Sequence, residues 1–359
     1  MTNGEQKICL IVYDVLSEKF IPDDPEPDFN LAETRADVPA IRKALREKGY
    51  NVKTLGLRRI NSKVVSHIES VNPDVIFNLC ESLYGESRHE MYTAGLFELL
   101  KIPYTGSPPF ALGLALNKRK SKQILRSAGL PVPSSVMAIS GQSFSLSDLE
   151  APYIIKPVRE DASTGISSKS VVNTKEEVEE RVKFIHENYR QPALIEEFIP
   201  GREINVSVLG GNEPKILAIG EIDFSKMPPG EPNIVSYKAK WNPKSAVYSA
   251  TEPICPAKLD DEIKLKIEKA ALKAYAEIGC RDYARIDMRF KENGLPAGQA
   301  GKFYILEVNT NPDISPDSGF NRAANISGMD YGQMICEIVS YALERTPRKV
   351  KELSAQSVI

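Results

Sequence analysis

The segment 304–309 carries an acid and an amide two residues apart, Glu307 and Asn309, in otherwise apolar surroundings. Side chains alternate between the two faces of a strand, so Glu307 and Asn309 share one face while Leu306 and Val308 point to the other. Burying an acid and an amide in an apolar strand costs free energy unless their oxygens bind a partner. A bound metal ion is the use that we predict.

A second alternating segment, 284–290, puts Arg285 and Asp287 on one face. A polar, glycine-containing loop is predicted to join the two segments as a hairpin. Across that hairpin, Asp287, Glu307 and Asn309 form an all-oxygen ligand set beside a cation, which suits Mg²⁺, with Mn²⁺ as the other candidate. The alternative is a solvated hairpin face with a chance grouping, which is the commoner state of any single acid in a strand. Because three such residues coincide, the metal site is the prediction.

A magnesium site of this kind implies a phosphate, which needs cationic and backbone partners. Lys156 ends an apolar strand, and the small-residue loop 161–165 follows it with N–H groups that could cover anionic oxygens. Lys118 and Lys240 are further candidates, although isolated lysines are mostly solvated. The sequence contains no Gly-x-x-x-x-Gly-Lys-Ser/Thr motif, and its first strand lacks Gly-x-Gly-x-x-Gly. A P-loop enzyme and a classical dinucleotide fold are therefore not indicated.

Three acids, Glu196, Glu197 and Glu203, stand where a strand meets a turn at Gly201. Acids in such a place can bind an adenine amino group or ribose hydroxyls, but they can equally be surface residues. The three histidines are not near a Ser or Cys arrangement that would form a nucleophile, so acyl-enzyme chemistry has little support.

Strand and helix signals alternate along the first hundred residues. Strands are predicted at 7–13, 52–55 and 74–79, and helices at 36–48, 62–70 and 90–100. This alternation predicts an open, mainly parallel sheet. A turn cluster at 103–109 ends the region.

The remaining chain is predicted to form two α+β units. The first contains helices at 117–128 and 175–188 and strands at 153–156, 170–172 and 193–198; the second contains strands at 203–209 and 216–222, a polar loop at 223–249, a helix at 260–278 and the hairpin. The fold class is therefore α/β and α+β. We predict an N-terminal α/β domain (1–106), a small central α+β domain (107–198) and a larger C-terminal α+β domain (199–359).

Composition indicates a globular protein with ordinary cores: 42% of the 359 residues are hydrophobic. The formal net charge is −2, without a continuous basic face, so nucleic acid is not an expected partner. Five scattered cysteines favour reduced thiols in a cytoplasmic protein over a disulfide framework. No apolar run approaches membrane-spanning length, and no membrane association is expected.

Taken in order, these segments resemble the ATP-grasp superfamily, and within it the D-alanine–D-alanine ligases. The resemblance runs from about Asp74 to Phe320. It rests on 97–107, Asn117-Lys118, 154–157, 163–165, 201–203, 237–241 and the hairpin. It implies an ATP-grasp fold, a small central lid domain and a homodimer.

The resemblance also implies roles for individual residues. Lys118, Lys156 and the loop residue Lys240 would bind the ATP phosphates, with Ser163 in the covering loop. Glu196 and Glu197 would lie at the adenine edge and Glu203 at the ribose. Asp287, Glu307 and Asn309 would bind the metal, and Arg285 would stabilise the transferring phosphoryl group. The segments 160–168 and 223–249 would close over the site.

Several substrate positions depart from the family pattern. Glu18 lies in the segment that replaces the family's Gly-Gly-x-Ser-x-Glu, and 78–86 replaces its His-Gly-x-x-Gly-Glu-Asp-Gly. Trp241 occupies the position of a tyrosine that normally bonds to the loop serine. Asp313 replaces a glycine near the oxyanion site, whereas Ser318 matches the serine that binds the second substrate's carboxylate.

The resemblance implies an ATP-dependent carboxylate–amine ligase that forms an amide or peptide bond through an acyl phosphate. D-alanine is one candidate substrate. The alternatives are a ligase for another amino acid, peptide or natural-product acid, and a nucleotide-binding regulator without turnover.

Overall fold

The computed structural model describes residues 6–15, 37–211, 213–292 and 301–345. Within these ranges the chain forms one parallel sheet and two antiparallel sheets with helices packed around them. The predicted mixture of α/β and α+β architecture is confirmed.

The first sheet has the strand order β2-β1-β3, and both pairings are parallel. Its strands and neighbouring helices are β1 (Ile8–Asp14), α1 (Asp37–Glu47), β2 (Asn51–Leu57), α2 (Ser62–Val71), β3 (Val75–Leu79), α3 (Glu90–Leu99) and α4 (Pro109–Leu116). A parallel sheet is buried on both faces, which explains the near-continuous apolar β1 and β3. All predicted strands and helices of this region are found; α4 was not predicted.

The second sheet is antiparallel with the order β4-β7-β5-β6. Its region contains α5 (Lys118–Ser127), β4 (Ser135–Ala138), β5 (Tyr153–Pro157), β6 (Val171–Val172), α6 (Lys175–Tyr189) and β7 (Ala193–Glu197). Helix α6 begins with a capping box in which Thr174 and Glu177 each accept the other's backbone N–H. Its apolar face packs on the sheet.

The third sheet is antiparallel with the order β11-β10-β8-β12-β13, and β9 pairs with β8. Its region contains β8 (Arg202–Gly210), β9 (Lys215–Ile216), β10 (Gly220–Asp223), α7 (Tyr237–Trp241), α8 (Ala246–Ser249), β11 (Glu252–Ile254), α9 (Asp261–Ile278), β12 (Asp282–Lys291), β13 (Lys302–Asn309), α10 (Gly319–Ile326) and α11 (Tyr331–Glu344). The strand predicted at 216–222 is wrong as one element. The chain leaves the sheet after β9 and rejoins it at β10 on the other part of β8.

The hydrophobic core of the first sheet also includes the end of the chain. Met334, Ile338 and Val339 of α11 are buried with Ile11 and Phe77 of the sheet. A core is therefore shared between the predicted first and third domains. The division at 106 and 198 stays a prediction.

Candidate active site

The third sheet has one apolar face and one polar face. The apolar side chains of β8, β12 and β13 pack against α9. On the other face, pairing across the three strands forms two polar rows, one of Ser207, Arg285 and Asn309 and one of Asn205, Asp287 and Glu307. Because side chains alternate along each strand, the residues of both rows point to the same side. The sheet thus brings together Arg285 and all three predicted metal ligands.

Asp287 is at the centre of this face. Arg285 donates to both of its carboxylate oxygens, from Nε at 2.7 Å and from Nη2 at 2.8 Å. The Nδ2 groups of Asn205 and Asn309 donate to the same carboxylate, each at 2.8 Å. Burial opposes the charge on Arg285, but Asp287 outweighs burial and raises the pKa of the guanidinium. Charge-assisted hydrogen bonds to Asp287 therefore connect the two polar rows in one network.

A β-bulge in β13 corrects one expectation about the hairpin. Asp287 pairs with Glu307 but Met288 pairs with Ile305, so Leu306 is the extra residue. Ile305 takes the core position and is fully buried, whereas Leu306 is only half-buried. The predicted alternation, with Leu306 and Val308 on one face, is therefore interrupted at Leu306, and Ile305 packs in the core instead. Lys122 uses the bulge by donating from Nζ to the carbonyl of Leu306 at 2.8 Å.

Lys118 reaches the polar face from the first turn of α5. Its Nζ lies 2.5 Å from Oε1 of Glu307 and its side chain is 5% exposed. Burial alone would lower the pKa of Lys118 and raise that of Glu307. The ion pair outweighs burial in both groups, so the pKa of Lys118 is raised and that of Glu307 is lowered. A predicted phosphate ligand and a predicted metal ligand are thus each other's counterions.

Glu196 is buried between two lysines. Its carboxylate oxygens lie 3.0 Å from Nζ of Lys122 and 2.5 Å from Nζ of Lys156, and its side chain is 1% exposed. Burial opposes the carboxylate charge, but Lys122 and Lys156 together lower the pKa of Glu196. Burial lowers the pKa of Lys122 to about 8. The geometry makes Glu196 the counterion of both lysines, and its contact with adenine stays a prediction.

The other two predicted nucleotide acids lie in different surroundings. Glu197 is half-buried and accepts a hydrogen bond from the backbone N–H of Glu150 at 3.0 Å. Glu203 pairs with Nη2 of Arg289 at 3.0 Å. Burial raises the pKa of Glu203, against the attraction of Arg289. Glu203 therefore lies on the polar sheet face, in the row next to Asp287.

The two predicted covering loops contact each other. Ser163 donates from Oγ to the carbonyl of Val235 at 2.8 Å, and Trp241 donates from Nε1 to the carbonyl of Ala162 at 3.0 Å. In the family pattern a tyrosine at this position bonds to the loop serine. Here the indole of Trp241 bonds to the backbone of the same loop, at Ala162. Lys240 lies with its Nζ 5.0 Å from the centre of the Trp241 ring. The segments predicted to cover the site meet at its edge.

A cavity of about 170 Å³ lies between these loops and the polar sheet face. Its lining includes Arg285, Glu307, Asn309, Lys240 and Trp241. Asp313 also lines it and accepts a hydrogen bond from the backbone N–H of Ser315 at 2.8 Å. The cavity therefore joins predicted metal, phosphate and substrate residues.

Two predicted substrate residues are not part of this cavity. Ser318 is 7% exposed, begins α10 as its N-cap and accepts the backbone N–H of Asn321 at 3.1 Å. It is not among the described residues that line the cavity, so its role in binding a carboxylate stays a prediction. Glu18 lies outside the described residues.

Sequence reasoning missed Asn205, Lys122 and Arg289. Asn205 could have been found, because Glu203, Asn205 and Ser207 alternate with the apolar residues of β8 as the two hairpin strands do. Lys122 stands four residues after Lys118, which puts both on one helix face. Arg289 continues the alternation of Arg285 and Asp287 by one step. In each of the three cases, the regular spacing of side chains along a strand or helix would have indicated the residue.

The donor set fits magnesium by its chemistry. Asp287, Glu307 and Asn309 offer carboxylate and amide oxygens, the hard ligands that Mg²⁺ takes together with substrate phosphates and water. Among the described residues, no group of three or more His, Cys, Asp and Glu side chains is placed to hold a metal ion.

The family model described as the D-ala D-ala ligase C-terminus matches residues 124–340, more than half of the chain. The D-alanine–D-alanine ligase of Brucella anthropi is 33% identical over 301 residues, which cover 83% of this chain and 89% of the relative. That of Carboxydothermus hydrogenoformans is 33% identical over 315 residues, covering 85% and 92%. An uncharacterized protein of Sinorhizobium fredii is 32% identical over 273 residues, covering 76% and 75%.

Solved structures agree with the fold. The crystal structure of the D-alanine–D-alanine ligase from Bacillus anthracis complexed with ATP matches with a TM-score of 0.68 and 22% identity, covering 94% of this chain and 98% of that one. None of the helices in the described ranges is long and apolar enough to span a membrane. The family model and the relatives above 30% identity show that the chain belongs to the D-alanine–D-alanine ligase family, ATP-dependent C–N ligases with the ATP-grasp fold.

Proposed function

We propose that this ligase uses ATP with Mg²⁺ to join the carboxylate of an amino acid or other small acid to an amine through an acyl phosphate. The observation that carries the proposal is the polar sheet face, on which Arg285 and Asp287 pair directly with Asn309 and Glu307. Lys118 reaches the same face from α5. Cations and oxygen ligands at this spacing fit a phosphoryl group and its metal.

The reaction has two steps. A carboxylate oxygen of the first substrate attacks the γ-phosphorus of ATP, and ADP leaves with the electron pair of the bond that breaks. The amine nitrogen of the second substrate then attacks the acyl carbon, phosphate leaves, and the nitrogen loses a proton. Arg285 and Lys118 would stabilise the charge of the transferring group.

Asp287, Glu307 and Asn309 would hold the magnesium ion. When bound, the ion neutralises phosphate charge and orients the phosphoryl group for transfer. Without ligands, Lys118 and Glu307 are paired at 2.5 Å. When ATP and the metal bind, Lys118 would have to leave Glu307 and contact phosphate oxygens, and Glu307 would then be available to the metal. Lys156 makes a corresponding contact with Glu196, and its charge helps to lower the pKa of Glu307.

The contacts between the covering loops serve to exclude water. An acyl phosphate hydrolyses if water reaches it, so the cavity has to be closed while the intermediate exists. Trp241 and Ser163 hold the loops to each other through backbone carbonyls. Lys240 is carried on the same loop and would contact the phosphates in the closed state.

D-alanine is the first substrate to test, because the relatives named above are D-alanine–D-alanine ligases. A homodimer is implied by the resemblance alone, and light scattering with size-exclusion chromatography tests it. A cytoplasmic location is supported by the need for ATP.

The experiment measures ADP release from ATP with D-alanine and with a panel of other amino acids, with and without Mg²⁺, and identifies the product by mass. We expect release that needs both the metal and an amino acid. We expect the Asn309→Ala variant to lower kcat/KM by about 100-fold, because removing one group that stabilises charge in the transition state has an effect of this size. Asn325→Ala, an exposed asparagine on α10, is the matched control. Unchanged activity of Asn309→Ala would remove Asn309 from the site.

A further inference from the structure

Arg181 connects the covering loop 160–168 to helix α6. Its side chain is 5% exposed, and Nη2 donates to the carbonyl of Gly165 at 2.9 Å and to Oγ of the fully buried Ser170 at 3.1 Å. The guanidinium carbon lies 4.5 Å from the centre of the Phe184 ring, a contact that also favours this position of the cation. One buried arginine therefore fixes the end of the loop to the helix.

The backbone of the loop has a conformation that needs such support. Ala162 and Ser163 have φ of 49° and 63°, in the left-handed region that disfavours residues with a Cβ atom. Gly165 has φ of 77°, and a Cβ added to it would lie 2.5 Å from Cγ of Pro157. A backbone of this kind persists only where its surroundings hold it in place, and it is typical of loops that bind ligands.

The segment 223–249 supplies only one side of this support. Ser163 and Trp241 join the loop to that segment through hydrogen bonds to backbone carbonyls. On the side of α6, a cavity of about 670 Å³ lies between residues 166–169 and the helix, and Arg181 borders it. The cavity reduces direct packing between loop and helix, so the hydrogen bonds of Arg181 form much of the connection.

The loop offers backbone N–H groups to a ligand. Those of Ala162, Ser163 and Gly165 have no hydrogen-bond acceptor among the described residues, and Ala162 lines the active-site cavity. Adjacent N–H groups of a turn form a concave surface that binds anionic oxygens. The carbonyl that Arg181 holds belongs to the last residue of this turn, and its hydrogen bond limits how far the turn can unwind.

We propose that Arg181 is a positioning residue of this ligase, which holds residues 162–165, before ATP binds, in the conformation whose N–H groups receive the phosphates. Arg181 acts through the loop from the side of α6 and is not among the described residues that line the active-site cavity. The inference rests on the proposed function, because it assigns the phosphates of ATP to this loop.

Steady-state kinetics of Arg181→Met test the positioning role. Methionine keeps an unbranched side chain beside Phe184 but cannot donate to Gly165. If the ordered loop is then populated to about one tenth, the KM for ATP rises about tenfold. At saturating ATP the nucleotide itself holds the loop, so kcat and the KM for the amino acid should change by less than about twofold. A purely structural role would lower the amount of active enzyme and leave the KM for ATP unchanged, and that result would overturn the inference.

Two matched variants show whether the hydrogen bonds are responsible. Arg181→Lys keeps a charge and a donor but lacks the planar fork of the guanidinium, so we expect a KM for ATP between those of the wild type and Arg181→Met. Lys183→Met is the control, because Lys183 is exposed on the same helix and contacts only Glu187, at 3.9 Å, in the described ion pairs. A rise in KM with Lys183→Met as large as that with Arg181→Met would contradict the assignment.

Amide hydrogen exchange separates the inference from the proposed function. The N–H groups of Thr164 and Ile166 donate to carbonyls within the loop at 2.8 and 3.0 Å, so their exchange reports on its order. Without ligands, we expect Arg181→Met to speed exchange of this loop about tenfold and to leave α9 unchanged. A non-hydrolysable ATP analogue with Mg²⁺ should restore the protection. Unchanged exchange would overturn the inference even in an active ligase, whereas absence of ADP release by the wild type with every substrate would refute the proposed function.

Discussion

Replacing Glu196 by glutamine removes the only negative charge that lies within ion-pair distance of both Lys122 and Lys156 among the described residues. The two contacts measure 3.0 and 2.5 Å, and all three side chains are at least nine-tenths buried. At an effective dielectric constant near 20, each contact is about 6 kcal/mol of gross attraction, most of which offsets the desolvation of the charges. The variant keeps the desolvated ammonium groups but loses the attraction.

Loss of one partner from a buried ion pair costs about 3–5 kcal/mol, and this is the expected fall in the free energy of unfolding for Glu196→Gln. In a chain of this size the thermal midpoint should fall by roughly 4–7 °C. The assay is thermal and urea unfolding followed by circular dichroism, with the wild type measured in parallel. Adding Lys122→Met, which removes one uncompensated charge, should recover part of the loss.

Glu197→Gln is the control, because it is the neighbouring acid in the same strand and its carboxylate accepts only a backbone N–H in the described contacts. We expect a change below about 1 kcal/mol for this variant. If Glu196→Gln were as mild as Glu197→Gln and instead weakened ATP binding, the counterion argument would be refuted. The predicted adenine contact of Glu196 would then explain the residue.

Arg345→Gln should lower the free energy of unfolding by about 3 kcal/mol at neutral pH, because it leaves the fully buried carboxylate of Asp282 without its cation. Losing the cation raises the pKa of Asp282 in the folded state. The stability difference from the wild type should therefore shrink as the pH falls and the carboxyl is protonated. A difference of equal size at pH 5 and pH 8 would contradict this account. Trp241→Phe removes the hydrogen bond to the carbonyl of Ala162 and should raise the ratio of ADP to ligated product, because looser closure admits water. An unchanged ratio in quantitative product analysis would show that this bond does not hold the loops closed.

The sequence predicted the polar sheet face because strand periodicity is local. Arg285, Asp287, Glu307 and Asn309 alternate with apolar residues, and alternation alone fixes which side chains share a face. The bulge at Leu306 could not be predicted in this way. Leu306 and its neighbour are equally apolar, and which of them enters the core depends on the pairing with β12.

The charge pairs show a second limit. Glu196 meets Lys122 across 74 residues and Lys156 across 40, distances at which no local pattern links an acid to its counterion. Helix α11 is a different case, because its signals were present in the sequence and were not used. Asp330 and Gln333 form a capping box, and apolar residues follow at helical spacing.

The ion pairs of the active site explain how the protein can fold without ligands although this site carries many buried charges. An unpaired buried lysine or arginine would be strongly destabilising, yet phosphate binding needs several cations in one place. Pairing Lys118 with Glu307 and Arg285 with Asp287 solves both problems, since each cation has a counterion that is itself a proposed metal ligand. The nucleotide phosphates would then take the place of the acids beside Lys118 and Arg285, and the metal would take the place of the cations beside Glu307 and Asp287. Each buried charge would keep a partner of opposite sign. For this reason we expect the nucleotide and Mg²⁺ to bind cooperatively, with each alone leaving one half of every pair uncompensated.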